Sequence, residues 1–462
     1  MAEEASFVKE MFRDKAFFKT LFALGIPVAI QHMISSSLNM VDVVMIGQIN
    51  EASITAVGLA NQLFFVFILL LFGINSGGAI FTAQFWGRKD TVSVHRATGV
   101  CLSFSLAGGV LFTLLALLVP ESIIALFSND PQVIGLGASY MRIVGFSYLF
   151  TAVSICMTTA ARSVGDAKMP MRASALSLGL NTGLNAVLIF GLLGFPALGV
   201  QGAAIATVIA RLLEMVIILV TIQTSLHPLK ATAREYFSFS RAFAHRVVVK
   251  SLPVVANEFF WALGMTLYVA AYSRLGTEAY AAYQIAQTVE RLFFVAAMGI
   301  GSAAAVMIGN LLGENRREEA ILYARYLNLL TAICGVILGG ILFATAPLVA
   351  RFFNVSPIVR QNAVYVMQVI GVVLTVKMVN ALQVIGTLRG GGDTTFSLIM
   401  EVSSMYLVGV PMAFLGALVW HLPVYWVVAL VSLEEITKAI AGIGRLLSNK
   451  WANTVIDGMG ES

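Results

Sequence analysis

The sequence predicts an all-α integral membrane protein, with twelve transmembrane helices in two pseudo-symmetric six-helix lobes. Three observations predict it. The 462 residues are 58% hydrophobic and only 11% charged, where soluble domains carry about 25% charged residues. The apolar residues fall in twelve stretches, each near the roughly 20 residues an α-helix needs to cross a hydrocarbon layer about 30 Å thick. The second half of the chain repeats the first. A closed barrel is the other structure lipid admits, but its strands would alternate polar and apolar residues, and these stretches do not.

In chain order, residues 1–20 form a cytoplasmic N-terminal segment in which Phe7, Met11, Phe17 and Phe18 suggest a short amphipathic helix on the membrane face. Charged residues precede the first apolar run and there is no small-residue cleavage site, so no removable signal peptide is expected. The N-lobe, 21–222, holds spans at 21–46, 55–85, 97–119, 133–160, 168–191 and 199–222. The polar interval 223–246, with Pro228 and a basic excess, is a cytoplasmic linker. The C-lobe, 247–447, holds spans at 247–273, 280–310, 322–345, 359–386, 396–419 and 423–446, and 448–462 form a cytoplasmic tail.

The formal charge of +5 follows from topology rather than from a nucleic-acid partner. Lys and Arg crowd the N-terminal segment, the linker and alternate loops, through Arg88, Lys89 and Arg96, Arg162, Lys168 and Arg172, Arg316, Arg317 and Arg325, Arg389, and finally Lys438, Arg445 and Lys450. The opposite loops hold only Arg142, Arg274, Arg351 and Arg360. The positive-inside rule then places both termini in the cytoplasm, which requires an even number of spans.

The repeat starts at Pro27 and again at Pro253, 226 residues on. At that offset Ala56, Ala60, Phe67, Gly73, Ile74, Ser76, Ala79 and Gly87 meet Ala282, Ala286, Phe293, Gly299, Ile300, Ser302, Ala305 and Gly313. Farther on, Arg162, Gly165 and Asp166 meet Arg389, Gly392 and Asp393, one residue later. Six spans return the chain to its starting side, so the copies share an orientation and an axis along the membrane normal, with a substrate site expected near the midplane between them. Pro27 and Pro253 fall near the cytoplasmic ends of their spans, where a missing N–H costs least or bends the helix. The 40 glycines mostly let helices approach closely.

Charges in hydrocarbon cost about 2.5–3.5 kcal/mol or more, so the polar residues that remain inside form the functional short list. Asp42, in the first span, reaches a depth similar to Asn185, and Asn181 and Asn185 share one face of the fifth. A carboxylate with amide oxygens suits a proton or a hard cation such as Na⁺; the plainer alternative is an interfacial Asp capping a helix kink. The second lobe contributes Glu258, Lys377, Asn380, Glu401, Glu434 and Glu435. Glu258 and Lys377 are expected to pair, either as a static salt bridge or as a switch in which Glu258 exchanges Lys377 for a cation, substrate or proton. Glu401 and Glu435 exceed what one Lys neutralises, so at least one carboxyl should be protonated, water-exposed or cation-bound. Arg211 with Glu214, and Glu290 with Arg291, read as local compensating pairs.

Enzyme signatures are missing: there is no HExxH, GxSxG or GxxxxGK[ST], and the five His are dispersed. Cys101, Cys156 and Cys334 lie inside spans as small packing residues, with no CxxC motif. A membrane-embedded enzyme or receptor would need a catalytic constellation or a large extramembrane domain, and neither is visible.

In order and spacing, Asn39-Met-Val-Asp42 with Gly47, the Asn181/Asn185 pair and the loops Arg162-Ser-Val-Gly165-Asp166 and Leu388-Arg389-Gly-Gly-Gly392-Asp393-Thr394 resemble the multidrug and toxic compound extrusion (MATE) family of secondary transporters over essentially the whole chain. The resemblance implies export of drugs and other organic, mainly cationic, compounds by alternating access, coupled to Na⁺ or H⁺, in the cytoplasmic membrane of a prokaryote. It implies small organic cations, Na⁺ or H⁺ and the lipid bilayer as partners, no nucleic acid, and no cofactor beyond a bound Na⁺ at Asp42 or Glu258. Sodium-coupled members commonly carry an Asp in span ten, where this chain reads Val376-Lys377-Met378-Val379-Asn380, which makes Glu258 the better candidate in the second lobe. A flippase for lipid-linked oligosaccharides in the same superfamily is the alternative, and the acidic cavity expected here argues against it.

Overall fold

The computed structural model describes residues 2–459, with side chains for all but residues 2–6, 38, 39 and 43. Met1, the last three residues of the expected tail and the Asn39 side chain thus lie outside the described residues. Among the described residues ten helices are long and apolar enough to cross a membrane, and a bent pair makes an eleventh. The segment expected as the twelfth is broken at Ser432 into Val424–Val431 and Leu433–Leu447. No strand occurs among the described residues.

The repeat governs the helix lengths. Span one (Lys15–Gly47) and span seven (Arg241–Ser273) each have 33 residues, and span two (Glu51–Gly87) and span eight (Thr277–Gly313) each have 37. All of these boundaries recur at the separation of Pro27 and Pro253. A 37-residue helix is about 55 Å long, so its ends pass beyond the hydrocarbon or the helix tilts. Span three is Thr91–Leu118, span five Lys168–Phe190, span six Val200–Thr224, span nine Arg317–Phe352, span ten Pro357–Leu388 and span eleven Thr394–Val419.

Side-chain caps set several starts. Asn50 accepts from the Ser53 N–H at 2.8 Å ahead of span two, and Asp90 from the Ser93 N–H at 3.0 Å ahead of span three. Span four, expected as one helix over 133–160, is instead Pro131–Val144 and Ser147–Ser163, turned by 51°. At the bend a Cβ on Gly145 would lie 2.7 Å from the Ala116 methyl, and Thr113 Oγ1 donates to the Gly145 carbonyl at 2.9 Å. Close packing and a side chain inserted at the helix break account for the kink.

The chain forms two compact units, Met1–Ala29 with Ala256–Asp457 and Ile30–Val255 with Gly458–Ser462. Their limits differ from the expected lobe boundaries, because spans one and seven each begin in one unit and finish in the other, changing over two residues after Pro27 and Pro253. A proline there leaves a carbonyl one turn back without its helical donor and lets the helix bend. In the first unit Met11 and Phe17, expected at a membrane surface, are fully buried, Phe17 against Tyr323 and Tyr326 of span nine. In the second, the expected linker is folded onto span three: the Tyr236 carbonyl would lie 1.7 Å from a Cβ on Gly99, and His95 contacts the Pro228 carbonyl at 2.9 Å. The cores are aromatic, with Phe67 stacked on Tyr148 in one unit and Tyr272 packed 4.2 Å from Tyr283 in the other.

Candidate functional site

Each unit holds its own buried polar cluster. In the unit Ile30–Val255, Asn181 and Asn185 are fully buried on one face of span five, as their four-residue spacing requires. Asn185 Nδ2 donates to Asp42 Oδ1 at 2.5 Å and to Asn181 Oδ1 at 3.0 Å. Asn181 Nδ2 reaches Thr207 Oγ1 of span six at 3.5 Å, and Thr207 in turn donates to the Ala203 carbonyl at 2.9 Å. Both Asn185 bonds use its amide nitrogen, and its Oδ1 is buried without a partner. A carboxylate beside an unsatisfied amide oxygen is an acceptor-rich site, suited to a proton or a monovalent cation.

A polar chain runs beside it. Arg162 Nη2 donates to Gln31 Oε1, Gln31 Nε2 to Ser174 Oγ at 2.9 Å, Ser174 Oγ to Glu214 Oε1 at 2.7 Å, and Arg211 Nη1 to Glu214 Oε2 at 2.9 Å. Arg211 lies within electrostatic reach of Asp42. The expected Arg211–Glu214 pair is thus present, and it ends a chain that ties spans one, four, five and six together.

The unit Ala256–Asp457 rearranges what the sequence suggested. Glu258 does not meet Lys377: it pairs with Arg389 at 2.6 Å, and Lys377 Nζ pairs with Glu290 at 2.7 Å. The helix of span ten continues through Arg389, twelve residues beyond Lys377 and about 18 Å along the axis, so one carboxylate on span seven cannot serve both. Depth counted along the chain set Glu258 level with Lys377, whereas it lies at the height of Arg389. The same pairing overturns the expected Glu290–Arg291 pair, for Arg291 is exposed. Arg389 and Lys438, read as loop charges, are 3% and 5% exposed.

The other acids gather around Lys438, whose Nζ lies 3.2 Å from Glu434 and 3.0 Å from Glu435. Asn380 Nδ2 donates to Glu435 Oε2 at 2.7 Å, Asn257 Nδ2 to Glu401 Oε2 at 2.6 Å, and the Tyr268 hydroxyl to Glu434. Gly409 makes room for that last contact, since a Cβ there would lie 1.9 Å from the Tyr268 oxygen. Among the described residues no three His, Cys, Asp or Glu side chains converge as a metal chelate would.

Sequence reasoning therefore set Asp42, Asn181 and Asn185 near one another, named Asn380, Glu401 and Glu435 without their neighbours, and missed Gln31, Ser174, Thr207, Asn257, Tyr268 and Lys438. Lys438 carried a usable signal, standing three and four residues after two acids on a helix. Single Ser, Thr and Asn residues in apolar helices carried none.

Comparison with known proteins agrees with this architecture. The family model described as MatE matches residues 27–187 and again 253–415, two copies starting at the same two prolines. The probable multidrug resistance protein NorM of Thermotoga maritima is 23% identical over 446 residues, 95% of this chain and 94% of that one. The multidrug resistance protein NorM of Burkholderia vietnamiensis is 26% identical over 404 residues, 84% of each. The outward-facing structure of a multidrug resistance MATE family transporter of the MOP superfamily superposes with a TM-score of 0.84 at 22% identity, over 94% of this chain and 96% of that one.

Proposed function

Because the chain belongs to the MatE family of transporters, we propose that it is a secondary antiporter, driven by Na⁺ or H⁺, that exports drugs and other organic, mainly cationic, compounds by alternating access. It spans the cytoplasmic membrane of a prokaryotic cell with both termini in the cytoplasm. As a member of a transporter family it moves its substrate rather than transforming it.

The observation that carries this reading is Asp42 held by Asn185, whose own Oδ1 is unpartnered, inside a transmembrane helix. An ionised carboxylate at that depth is costly unless a cation answers it. A proton or Na⁺ neutralises it and satisfies the amide oxygen; an organic cation supplies charge without the small radius. Coupling follows when ion and drug favour different conformations, since a ligand shifts an equilibrium only by its differential affinity. Arg211 is already engaged by Glu214, so its charge tempers Asp42 without replacing the incoming cation.

Cationic substrates are supported by the acidic excess of the other unit, where Glu258, Glu290, Glu401, Glu434 and Glu435 face Lys377, Arg389 and Lys438. The same balance disfavours a lipid-pyrophosphate flippase, because each of those cations is held by a carboxylate.

The test is cationic-dye flux in proteoliposomes under an imposed Na⁺ or pH gradient, for the native protein and Asp42→Asn. One gradient should drive dye uphill in the native protein and fail to in the variant. Dye that moves under neither gradient, in protein that remains folded, would refute the antiporter.

A further inference from the structure

The two units use repeat-related positions for their buried chains, and they differ at one of them. Asn257 follows Gln31 by the offset that separates Pro253 from Pro27, and Glu401 follows Ser174 by the offset that separates Arg389 from Arg162. In one unit Gln31 donates to the Ser174 hydroxyl, which donates onward to Glu214 on span six. In the other Asn257 donates to Glu401. A carboxyl stands where the sister unit has a hydroxyl that is itself a proton donor to an acid. The neighbouring helix is again acidic, carrying Glu434 and Glu435.

Charge and hydrogen bonding then point the same way. Glu258 and Glu290 have Arg389 and Lys377. Glu401, Glu434 and Glu435 are left to Lys438, so three carboxylates around one ammonium would retain two negative charges in the membrane. Three oxygens at the cluster have no partner: Asn257 Oδ1, Asn380 Oδ1 and Gln383 Oε1, on residues only 3%, 3% and 1% exposed. Gln383 Nε2 donates to Asn328 at 3.1 Å, which turns Oε1 toward span twelve, where a Cβ on Gly442 would lie 1.8 Å from it. Gly442 is one turn beyond Lys438. Buried acceptors of this kind are satisfied by water or by a protonated donor.

We propose that spans ten, eleven and twelve of this unit form a second protonation site, in which Glu401 and one of the Glu434–Glu435 pair carry protons exchanged through water held by Asn380 and Gln383, while Lys438 balances the remaining charge. From span seven Asn257, Glu258 and Tyr268 face this cluster, from span ten Lys377, Asn380 and Arg389, and from span twelve Lys438. The site's part in transport rests on the antiporter reading; its existence does not.

Infrared spectroscopy of the full chain in liposomes tests it through the carbonyl stretch of protonated carboxyl groups. The band should persist in Asp42→Asn, shift in D₂O, lose about half its remaining intensity in Asp42→Asn/Glu401→Gln, and recover with Glu401→Asp in place of Gln, the rescue also showing that the fold is intact. Gly442→Ala, which pushes Gln383 aside, should slow the deuterium shift severalfold. A band abolished by Asp42→Asn, unchanged by both Glu401→Gln and Glu434→Gln, insensitive to D₂O, or removed by Na⁺ but not by K⁺ at constant pH would overturn the proposal. Normal antiport without this band refutes the site only. A normal band without antiport refutes the antiporter reading only.

Discussion

Gly73 lies so close to Val255 that a Cβ on the glycine would sit 2.8 Å from the valine Cα. The contact has a counterpart at repeat-related positions, where a Cβ on Gly299 would sit 3.0 Å from the Ala29 methyl. The start of span seven is therefore packed on span two within one unit, and the start of span one on span eight within the other. Gly73→Leu should lower the apparent melting temperature in detergent, because forcing a side chain into a closed contact costs about 1–3 kcal/mol or more. Gly58, on the same helix with nothing within 4 Å of its Cβ position, is the control: Gly58→Ala should leave stability unchanged or raise it by up to about 1 kcal/mol through helix propensity.

Asn185 is the only described donor to Asp42, and its own Oδ1 is unpartnered. Asn185→Leu removes both the bond to the carboxylate and the free oxygen. The bond favours the charged carboxylate by about 1.5–3 kcal/mol, so its loss should lower the half-saturating H⁺ concentration roughly 10–100-fold, whereas loss of the Oδ1 ligand should raise the half-saturating Na⁺ concentration. Ion-dependence curves for dye export read this directly, and an unchanged curve would separate Asp42 from coupling.

The exchanged ion pairs make opposite forecasts for double variants. Lys377→Met leaves Glu290 buried without its cation, and breaking a buried pair costs about 3–5 kcal/mol. Adding Glu290→Gln should restore most of the loss, whereas adding Glu258→Gln should not, since Glu258 belongs to Arg389. Thermal melts around the two cycles measure the coupling.

Asp166 lies outside the spans, where it caps span five through the Lys168 and Met169 N–H groups, each at 3.0 Å, and faces His227 Nε2 at 3.6 Å. The His227 contact first, then these backbone donors, hold its carboxyl below the usual range, against the opposing effect of partial burial. A lowered folded-state pKa stabilises above the unfolded value, and that contribution is lost as pH falls through the folded value. Melts carried from neutral pH to well below about pH 4 should therefore fall in the native protein, with a shallower limb below that pH in Asp166→Asn. The half-exposed setting keeps the effect below about 1 kcal/mol, and parallel curves would remove Asp166 from the acid response.

Much of the fold was legible because lipid leaves few options. Runs such as 55–85 and 280–310 are too long and too apolar for anything but spanning helices, and the matched prolines and glycines announced the duplication before any contact was known. The Asp42 cluster was legible for a related reason, since a charge and two amides at matched depth are rare in hydrocarbon and i,i+4 spacing places the amides on one face. Pairing in the other unit was not. Depth counted along the chain matched Glu258 with Lys377, and only the packing of span seven on span ten brings it to Arg389 instead.

By itself the sequence determined the membrane class, the order of the spans, the repeat and part of the short list of buried polar residues. These follow from local quantities, namely run length, periodicity and the cost of charge in lipid. Tertiary structure decided that spans one and seven change units after their prolines, that span four bends, and that Lys438 turns inward between two glutamates. Those outcomes depend on which helix faces meet, and facing is settled by packing between residues hundreds of positions apart, which no local pattern encodes.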